Sequence, residues 1–239
     1  MNRLLVFVGS LFYTCLFFLS VLVFGFFVLL PRPIMSEKNR WRTMGAFTRS
    51  NIYMCRVLCG LDYAVIGLKN IPEKPCIVFL KHSSVYEMFF ALSFFQPASY
   101  VAKNELMFIP VVRGAIKALK CIPVKRGLGK NEVNKVVAQG EQYLNEGRWI
   151  VICPEGTRVR HGETRRYGIS GALLAKGTFT PVLPVAHNAG YFWGRRSLIK
   201  RPGKVVFSVG RPFTTEGLEA DEINKRAQDW VEKEINSFS

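Results

Sequence analysis

The apolar N-terminus limits the fold more than any other part of the sequence. Residues 4–30 contain no charged side chain over 27 positions, are rich in Phe, Leu and Val, and are followed by Pro31, Arg32 and Pro33. As a helix this segment would be about 40 Å long, which is enough to cross a hydrocarbon layer of about 30 Å with tilt. A cleaved signal peptide would have a shorter apolar part, about 7–15 residues, before its cleavage site. The pattern therefore predicts a retained membrane anchor over residues 1–34, with a buried core helix as the alternative.

The charge of the chain indicates what it meets at the membrane. Lysine and arginine number 33 against 17 aspartate and glutamate, a formal net charge of +16. A basic excess of this size is typical of proteins with a polyanionic partner, either nucleic acid or anionic lipid, and the apolar N-terminus favours lipid. Only Arg3 precedes the anchor, whereas several basic residues follow it, so the positive-inside rule places the rest of the chain in the cytoplasm.

Residues 35–60 form a second predicted segment, a basic amphipathic helix close to the membrane. At 100° per residue its cations share one stripe, and its apolar side chains take the far side. Such a helix either lies in the headgroup layer or packs its apolar face on the domain and leaves its cations in solvent. The sequence leaves both possibilities open. The stripe consists of Lys38, Arg42, Arg49 and Arg56.

Residues 61–239 read as one α/β domain. Several short apolar runs lack alternation, as in strands covered on both faces, so a three-layer domain with a mixed, mostly parallel sheet is predicted. The predicted strands are 63–66, 76–80, 100–102, 121–124, 149–153, 182–186 and 204–209. The predicted helices are 84–95, 110–119, 131–146, 170–176 and 217–237. The six cysteines lack metal-ligand spacing, so no metal site is predicted.

The stretch KHSSVYE follows the apolar run CIVFL, so His82 is predicted at the C-terminal end of a strand, where open α/β sheets place ligands. His82 as a general base and Glu87 as the group that orients its imidazole would form a catalytic pair. The structural alternative is a capping box, S-x-x-E, in which Ser84 and Glu87 satisfy backbone donors at a helix start.

Three further stretches carry polar groups at predicted strand ends. CPEGTRVR offers Glu155, Gly156, Thr157 and Arg158 in one turn suited to a phosphate and its neighbouring hydroxyls. CIPVKRG ends in Lys125 and Arg126, which could clamp a phosphate. TPVLPVA has two prolines within an apolar run, which is typical of an edge or irregular strand lining a groove. Each stretch alone also fits an ordinary turn or edge strand.

The order of these motifs behind an apolar N-terminus resembles the glycerolipid acyltransferase family that acylates lysophosphatidic acid. The resemblance covers residues 72–212 and implies that His82 and Glu87 form the catalytic dyad of an H-x4-D-type motif. It also implies that Arg126 and the intact E-G-T-R at residues 155–158 bind the phosphate-bearing substrate. AKNEL is similar to a family segment whose lysine lies near the phosphate, which nominates Lys103. Departures are Glu87 in place of aspartate, Lys125 in place of an aspartate, and the absence of a lysine after E-G-T-R, where Arg165 or Arg166 is the candidate substitute.

The resemblance implies an enzyme that transfers an acyl chain to the sn-2 hydroxyl of 1-acylglycerol 3-phosphate. An acceptor that is another lysolipid, an aminolipid or a lipid A precursor is the alternative, since H-x4-E also occurs in lipid A acyltransferases. The implied partners are a lysophospholipid, membrane lipids and an acyl donor, either acyl-CoA or acyl carrier protein, with no resident cofactor and no nucleic acid. Because AHNAGYFW looks like bacterial members, the expected location is a bacterial inner membrane with the catalytic domain on its cytoplasmic side.

Overall fold

The computed structural model describes residues 2–29, 35–125 and 129–238. Their helices are α1 Arg3–Leu29, α2 Glu37–Cys59, α3 Tyr86–Phe94, α4 Pro110–Ala118, α5 Lys130–Asn145, α6 Ser170–Thr178, α7 Ala189–Phe192 and α8 Ala220–Asn236. Their strands are β1 Leu61–Ile66, β2 Ile77–Leu80, β3 Ala98–Lys103, β4 Ile122–Val124, β5 Trp149–Ile152, β6 Val182–His187 and β7 Gly203–Val209. Two short 3-10 helices, Leu68–Asn70 and Asn104–Phe108, complete the elements.

The seven strands form one sheet in the order β1-β7-β6-β2-β5-β3-β4. All neighbours are parallel except β6 and β7. The central strands β2 and β5 are buried at every residue, because helices cover both faces of the sheet, as apolar runs without alternation require. One apolar cluster lies under α1 to α4, and a second lies under α5, α6 and α8. The predicted three-layer α/β domain with a mixed, mostly parallel sheet is confirmed.

The prediction of an edge strand at TPVLPVA is wrong. This stretch contains β6, which lies between β2 and β7 inside the sheet. Pro184 is tolerated there because β7 ends at Val209, beside it, and the Pro184 carbonyl accepts a hydrogen bond from the backbone N–H of Gly210 at 2.9 Å. The missing N–H of proline therefore falls at an interruption of the neighbouring strand, which is where a sheet accommodates it.

Helix α1 is the N-terminal apolar segment. Among the helices of the described residues, it is long enough and apolar enough to cross a membrane. It packs lengthwise against α2 and α4. Its small polar residues face the protein, and both Ser10 and Ser20 are buried. The opposite side consists of exposed large apolar residues from Leu4 to Phe27. The predicted end of the anchor at Pro31, Arg32 and Pro33 lies outside the described residues.

Helix α2 resolves the choice left open for the basic segment. Its apolar face, which includes Trp41, Phe47 and Cys55, is buried against α1, α3 and β1. The hydroxyl of Ser36 caps its first turn by accepting from the N–H of Asn39 at 3.3 Å, which satisfies one of the free donors of a helix start. The cationic stripe is exposed. The helix therefore packs on the domain and leaves its cations outside.

Candidate active site

The His82 loop connects β2 to α3 and brings histidine and glutamate together. His82 Nδ1 lies 2.5 Å from Glu87 Oε1. Glu87 is fully buried, whereas the His82 side chain keeps 14% of its surface exposed. Because Nδ1 faces the carboxylate, Nε2 is the ring nitrogen left to act on a substrate. The spacing of five residues succeeds because His82 precedes the helix and Glu87 lies in its first turn.

Glu87 also binds the backbone at the helix start, but only half of the predicted capping box is formed. Its Oε2 accepts from the N–H of Ser84 at 2.6 Å and of Ser83 at 3.0 Å. The reciprocal half of the predicted capping box is absent from this described loop, because the Ser84 hydroxyl accepts from the Tyr86 N–H at 3.1 Å rather than from that of Glu87. The backbone bonds fix the carboxylate so that it can orient His82.

A second histidine, missed by the sequence analysis, completes the surroundings of the carboxylate. His187 is the last residue of β6, and its Nε2 lies 3.1 Å from Glu87 Oε2 and 2.7 Å from the Lys81 carbonyl oxygen. Its Nδ1 accepts from the Ala189 N–H at 3.2 Å, so Nε2 carries the proton and donates. The one signal in the sequence that could have identified His187 was its position at the C-terminal end of a predicted strand, as for His82. No residue spacing along the chain could reveal the contact.

The charge state of Glu87 follows from these contacts. Burial raises its pKa, but the adjacent His187 and His82 oppose this more strongly, and the pKa of Glu87 falls to about 2. The carboxylate is therefore ionised at neutral pH and acts only as an acceptor. The proton in the short contact consequently lies on His82 Nδ1.

The E-G-T-R turn after β5 packs directly on the His82 loop. The His82 carbonyl accepts from the Val159 N–H at 2.8 Å, and Glu155 Oε1 accepts from the His82 N–H at 3.4 Å. Gly156 has φ +69°, a left-handed conformation that favours glycine. These bonds place Thr157 and Arg158 at the same cavity as His82.

Glu155, predicted to bind substrate, is not brought to the cavity. Its side chain is buried behind the turn, 3.6 Å from the ammonium group of Lys81. Burial raises the pKa of Glu155 to about 7, although the nearby Lys81 opposes the shift. Lys81 is closer to Glu232 Oε1, at 2.6 Å. The geometry indicates that Glu155 supports the His82 backbone.

A cavity of about 620 Å³ opens beside His82 at the C-terminal ends of the central strands. Among the residues that the structure describes, four cations line it together with His82, namely Lys103, Lys125, Arg158 and Arg195. Lys103 forms an ion pair of 3.0 Å with Glu105. Arg126, the other predicted phosphate ligand, lies outside the described residues. Arg165 and Arg166, the candidate substitutes for the family lysine, do not line the cavity.

The remaining wall of the cavity is largely apolar. It includes Met88 of α3 and, on the far side, Leu106 and valines of β4, β5 and α5. Phe89 and Phe90, the next residues of α3, are buried in the core and do not line the cavity. A pocket lined by an imidazole and several cations, with apolar walls between them, fits an amphipathic, anionic ligand.

Cys153, at the end of β5, also lines this cavity. Its sulfur lies within 4.8 Å of ligand atoms of both His82 and Glu87. Histidine, cysteine and carboxylate groups bind transition metals, but here the Glu87 oxygens are already taken by N–H donors. Hydrogen bonding accounts for the arrangement of the dyad.

The fold and the site together show an α/β domain in which a histidine–glutamate pair opens into a cavity lined by cations and apolar side chains. A sequence model of the family described as Acyltransferase matches residues 62–188. The chain belongs to this acyltransferase family.

Two named relatives and one solved structure extend the comparison. A 1-acyl-sn-glycerol-3-phosphate acyltransferase of Pseudomonas aeruginosa is 37% identical over 234 residues, covering 95% of this chain and 91% of the relative. One of Borreliella burgdorferi is 30% identical over 159 residues, covering 65% and 63% of the two chains. The crystal structure of the 1-acyl-sn-glycerophosphate (LPA) acyltransferase PlsC from Thermotoga maritima has a TM-score of 0.83 at 22% identity, covering 100% of this chain and 98% of that one. This last likeness supports the fold.

Proposed function

We propose that the enzyme transfers an acyl chain from a thioester donor to the sn-2 hydroxyl of 1-acylglycerol 3-phosphate, giving phosphatidic acid. The proposal is carried by one observation: His82, paired with Glu87, lines a cavity that is also lined by Lys103 and Arg158. The acceptor carries its phosphate on the carbon next to the one that bears the reacting hydroxyl. A general base and phosphate-binding cations in one cavity match that structure. The names of the relatives support the same reaction.

In the proposed mechanism His82 is the general base. Its Nε2 removes the hydroxyl proton as the oxygen attacks the thioester carbonyl, and the imidazolium gives the proton to the departing thiolate, which leaves as the thiol. Glu87 stabilises the charged imidazole, and His187 with the Ser83 and Ser84 N–H groups holds Glu87 in place. The phosphate contacts supply binding energy that positions the hydroxyl. The reaction uses no cofactor besides the acyl donor and forms no covalent acyl-enzyme.

The direct test is an assay of purified enzyme with 1-oleoylglycerol 3-phosphate and either oleoyl-CoA or oleoyl acyl carrier protein. We expect phosphatidic acid, measured by mass spectrometry, with at least one donor. Parallel reactions would offer lysophosphatidylethanolamine and a glucosamine-based lipid A precursor. If one of these acceptors gives product and 1-oleoylglycerol 3-phosphate gives none, the proposed acceptor is wrong and the enzyme acylates that other lipid class.

We further propose that the enzyme lies on the membrane through the exposed side of α1. Because α1 packs lengthwise on α2 and α4, the catalytic domain lies alongside it, and only the outer side of the helix is free to contact lipid. The segment after β3 continues this apolar surface: Phe108 is 79% exposed and Ile109 50%. Leu106, close before them, lines the cavity. This surface would admit a lipid acceptor from the bilayer, and we place it on the cytoplasmic face of a bacterial inner membrane.

The double variant Phe108→Asp, Ile109→Ser should bind vesicles of phosphatidylethanolamine and phosphatidylglycerol roughly a hundredfold more weakly, because each apolar side chain contributes about 1.5–3 kcal/mol on leaving water, so the two together contribute about 3 kcal/mol or more. Flotation of the full-length protein with vesicles measures this. Phe179→Asp is the control, since Phe179 is 66% exposed at the end of α6, on the other face of the sheet. Equal loss in both variants would contradict a specific contact surface.

A further inference from the structure

The segment between α7 and β7 carries a cation that no motif of the sequence identified. Arg195 is exposed and lines the cavity of His82. It belongs to none of the stretches that the resemblance assigned to phosphate binding. Its position relative to the dyad therefore has to come from the structure.

Two contacts hold this segment against the His82 loop. The Ser84 hydroxyl donates to the carbonyl oxygen of Trp193, two residues before Arg195, at 2.7 Å. A Cβ on Gly190 would lie 2.8 Å from the Ser83 side chain, so helix α7 touches the same loop closely enough to need glycine there. The segment is also fixed beyond Arg195, where the backbone N–H of Lys200 donates to the Ser10 hydroxyl of α1 at 2.9 Å. Arg195 therefore projects from a braced segment beside the dyad.

The sheet order separates Arg195 from the lysines of the cavity. His82 follows β2, and β6, which leads into α7 and Arg195, is its neighbour on one side. Lys103 and Lys125 follow β3 and β4 on the other side, two and three strands away, which is about 10–14 Å at the usual strand spacing. Cations thus flank the dyad on both sides.

The two substrates of the proposed reaction require an anion site on each side of the reacting atoms. The acceptor phosphate is close to its hydroxyl, so it has to lie near the dyad, where Arg158 is half-buried in the turn bonded to the His82 loop. In the donor, whether acyl-CoA or acyl carrier protein, the phosphopantetheine phosphate is separated from the thioester by a long arm with two amides. That phosphate has to lie toward the cavity mouth, where Arg195 is exposed. Lys125 is exposed too, but the Glu132 carboxylate, which also lines the cavity, accepts from the Lys125 backbone N–H at 3.0 Å and would repel a phosphate there.

We propose that Arg195 binds the phosphate of the phosphopantetheine arm of the acyl donor. The inference rests on the proposed function, and it assigns a residue that binds the acyl donor in the same cavity. A guanidinium suits this task because its planar donors pair with phosphate oxygens and it remains charged at any working pH. The arm is common to both donor types, so the inference holds for either.

The test compares two donors that differ only in this phosphate, oleoyl-4′-phosphopantetheine and oleoyl-pantetheine, with 1-oleoylglycerol 3-phosphate as acceptor. Wild-type enzyme should prefer the phosphorylated donor in kcat/KM. Arg195→Ala should lower that preference roughly tenfold, the value expected for a lost hydrogen bond to a charged group. The loss should arise through the donor KM, with the acceptor KM unchanged.

Arg196→Ala is the matched control, because Arg196 is the next residue, is exposed and does not line the cavity. It should keep the wild-type preference. An Arg195→Ala enzyme that retains the preference, or whose acceptor KM rises instead, would overturn the inference while the reaction stands. A wild-type enzyme that makes no phosphatidic acid would instead overturn the proposed function.

Discussion

Replacing His82 by alanine should lower kcat for phosphatidic acid formation by about 10²–10⁴-fold, the range that general acid–base catalysis contributes. The loss is expected because the variant keeps the phosphate-binding cations and the apolar walls but has no base at the hydroxyl. Substrate binding and vesicle binding should change little. Turnover of purified variant and wild type, measured at saturating donor and acceptor, tests this directly.

His161→Ala is the natural control for that experiment. His161 is exposed, does not line the cavity and has its ring centroid 5.3 Å from that of Tyr191. It should retain wild-type turnover. A His82→Ala enzyme with near-normal kcat would mean that His82 is not the base, and the mechanism would have to be abandoned.

Replacing Glu87 by alanine should reduce both turnover and stability. The variant removes the acceptor for His82 and His187 and for the N–H groups of Ser83 and Ser84, all in a buried site. Unsatisfied buried donors cost about 1–3 kcal/mol each, so the free energy of unfolding should fall by about 3 kcal/mol or more. Urea unfolding measures this, and Glu216→Ala, at an exposed loop position, should be close to wild type.

The Glu87 effect should also depend on pH in a defined direction. The pKa of Glu87 falls from 4.5 to about 2 on folding, so the folded state favours the ionised group. Its contribution is complete above pH 4.5 and is lost as the pH falls toward 2. The stability gap between wild type and Glu87→Ala should therefore be constant from pH 7 to pH 5 and narrow below it. A gap that widens on acidification would contradict the assignment of an ionised, stabilising carboxylate.

Local patterns were sufficient to predict all seven strands and most helices. Strands β2 and β5 are continuous apolar runs, which is the pattern of a strand covered on both faces, and the helices that follow them begin at polar loops. The pairing of His82 with Glu87 was predictable for the same reason, because both residues belong to one strand–helix junction. Such features depend on residues that are neighbours along the chain.

The rest of the site depends on the order of the strands, which local patterns do not encode. His187 meets Glu87 because β6 pairs with β2, although the two residues are far apart in sequence. Arg195 reaches the cavity because α7 packs on the Ser83 loop. The two prolines of TPVLPVA suggested an edge strand, since nothing in the sequence shows that β7 ends beside Pro184. Tertiary pairing decided each of these positions.

The serines of α1 give the helix a fixed roll angle. Ser20 and Asn51 of α2 are hydrogen-bonded at 3.1 Å, and ten residues earlier the Ser10 hydroxyl accepts from the Lys200 N–H at 2.9 Å. Ten helical residues span about 15 Å, so two hydrogen bonds hold the same side of the helix at well-separated points. A helix held in this way cannot rotate about its axis. The protein, and not the bilayer, therefore selects which apolar side chains of α1 meet lipid.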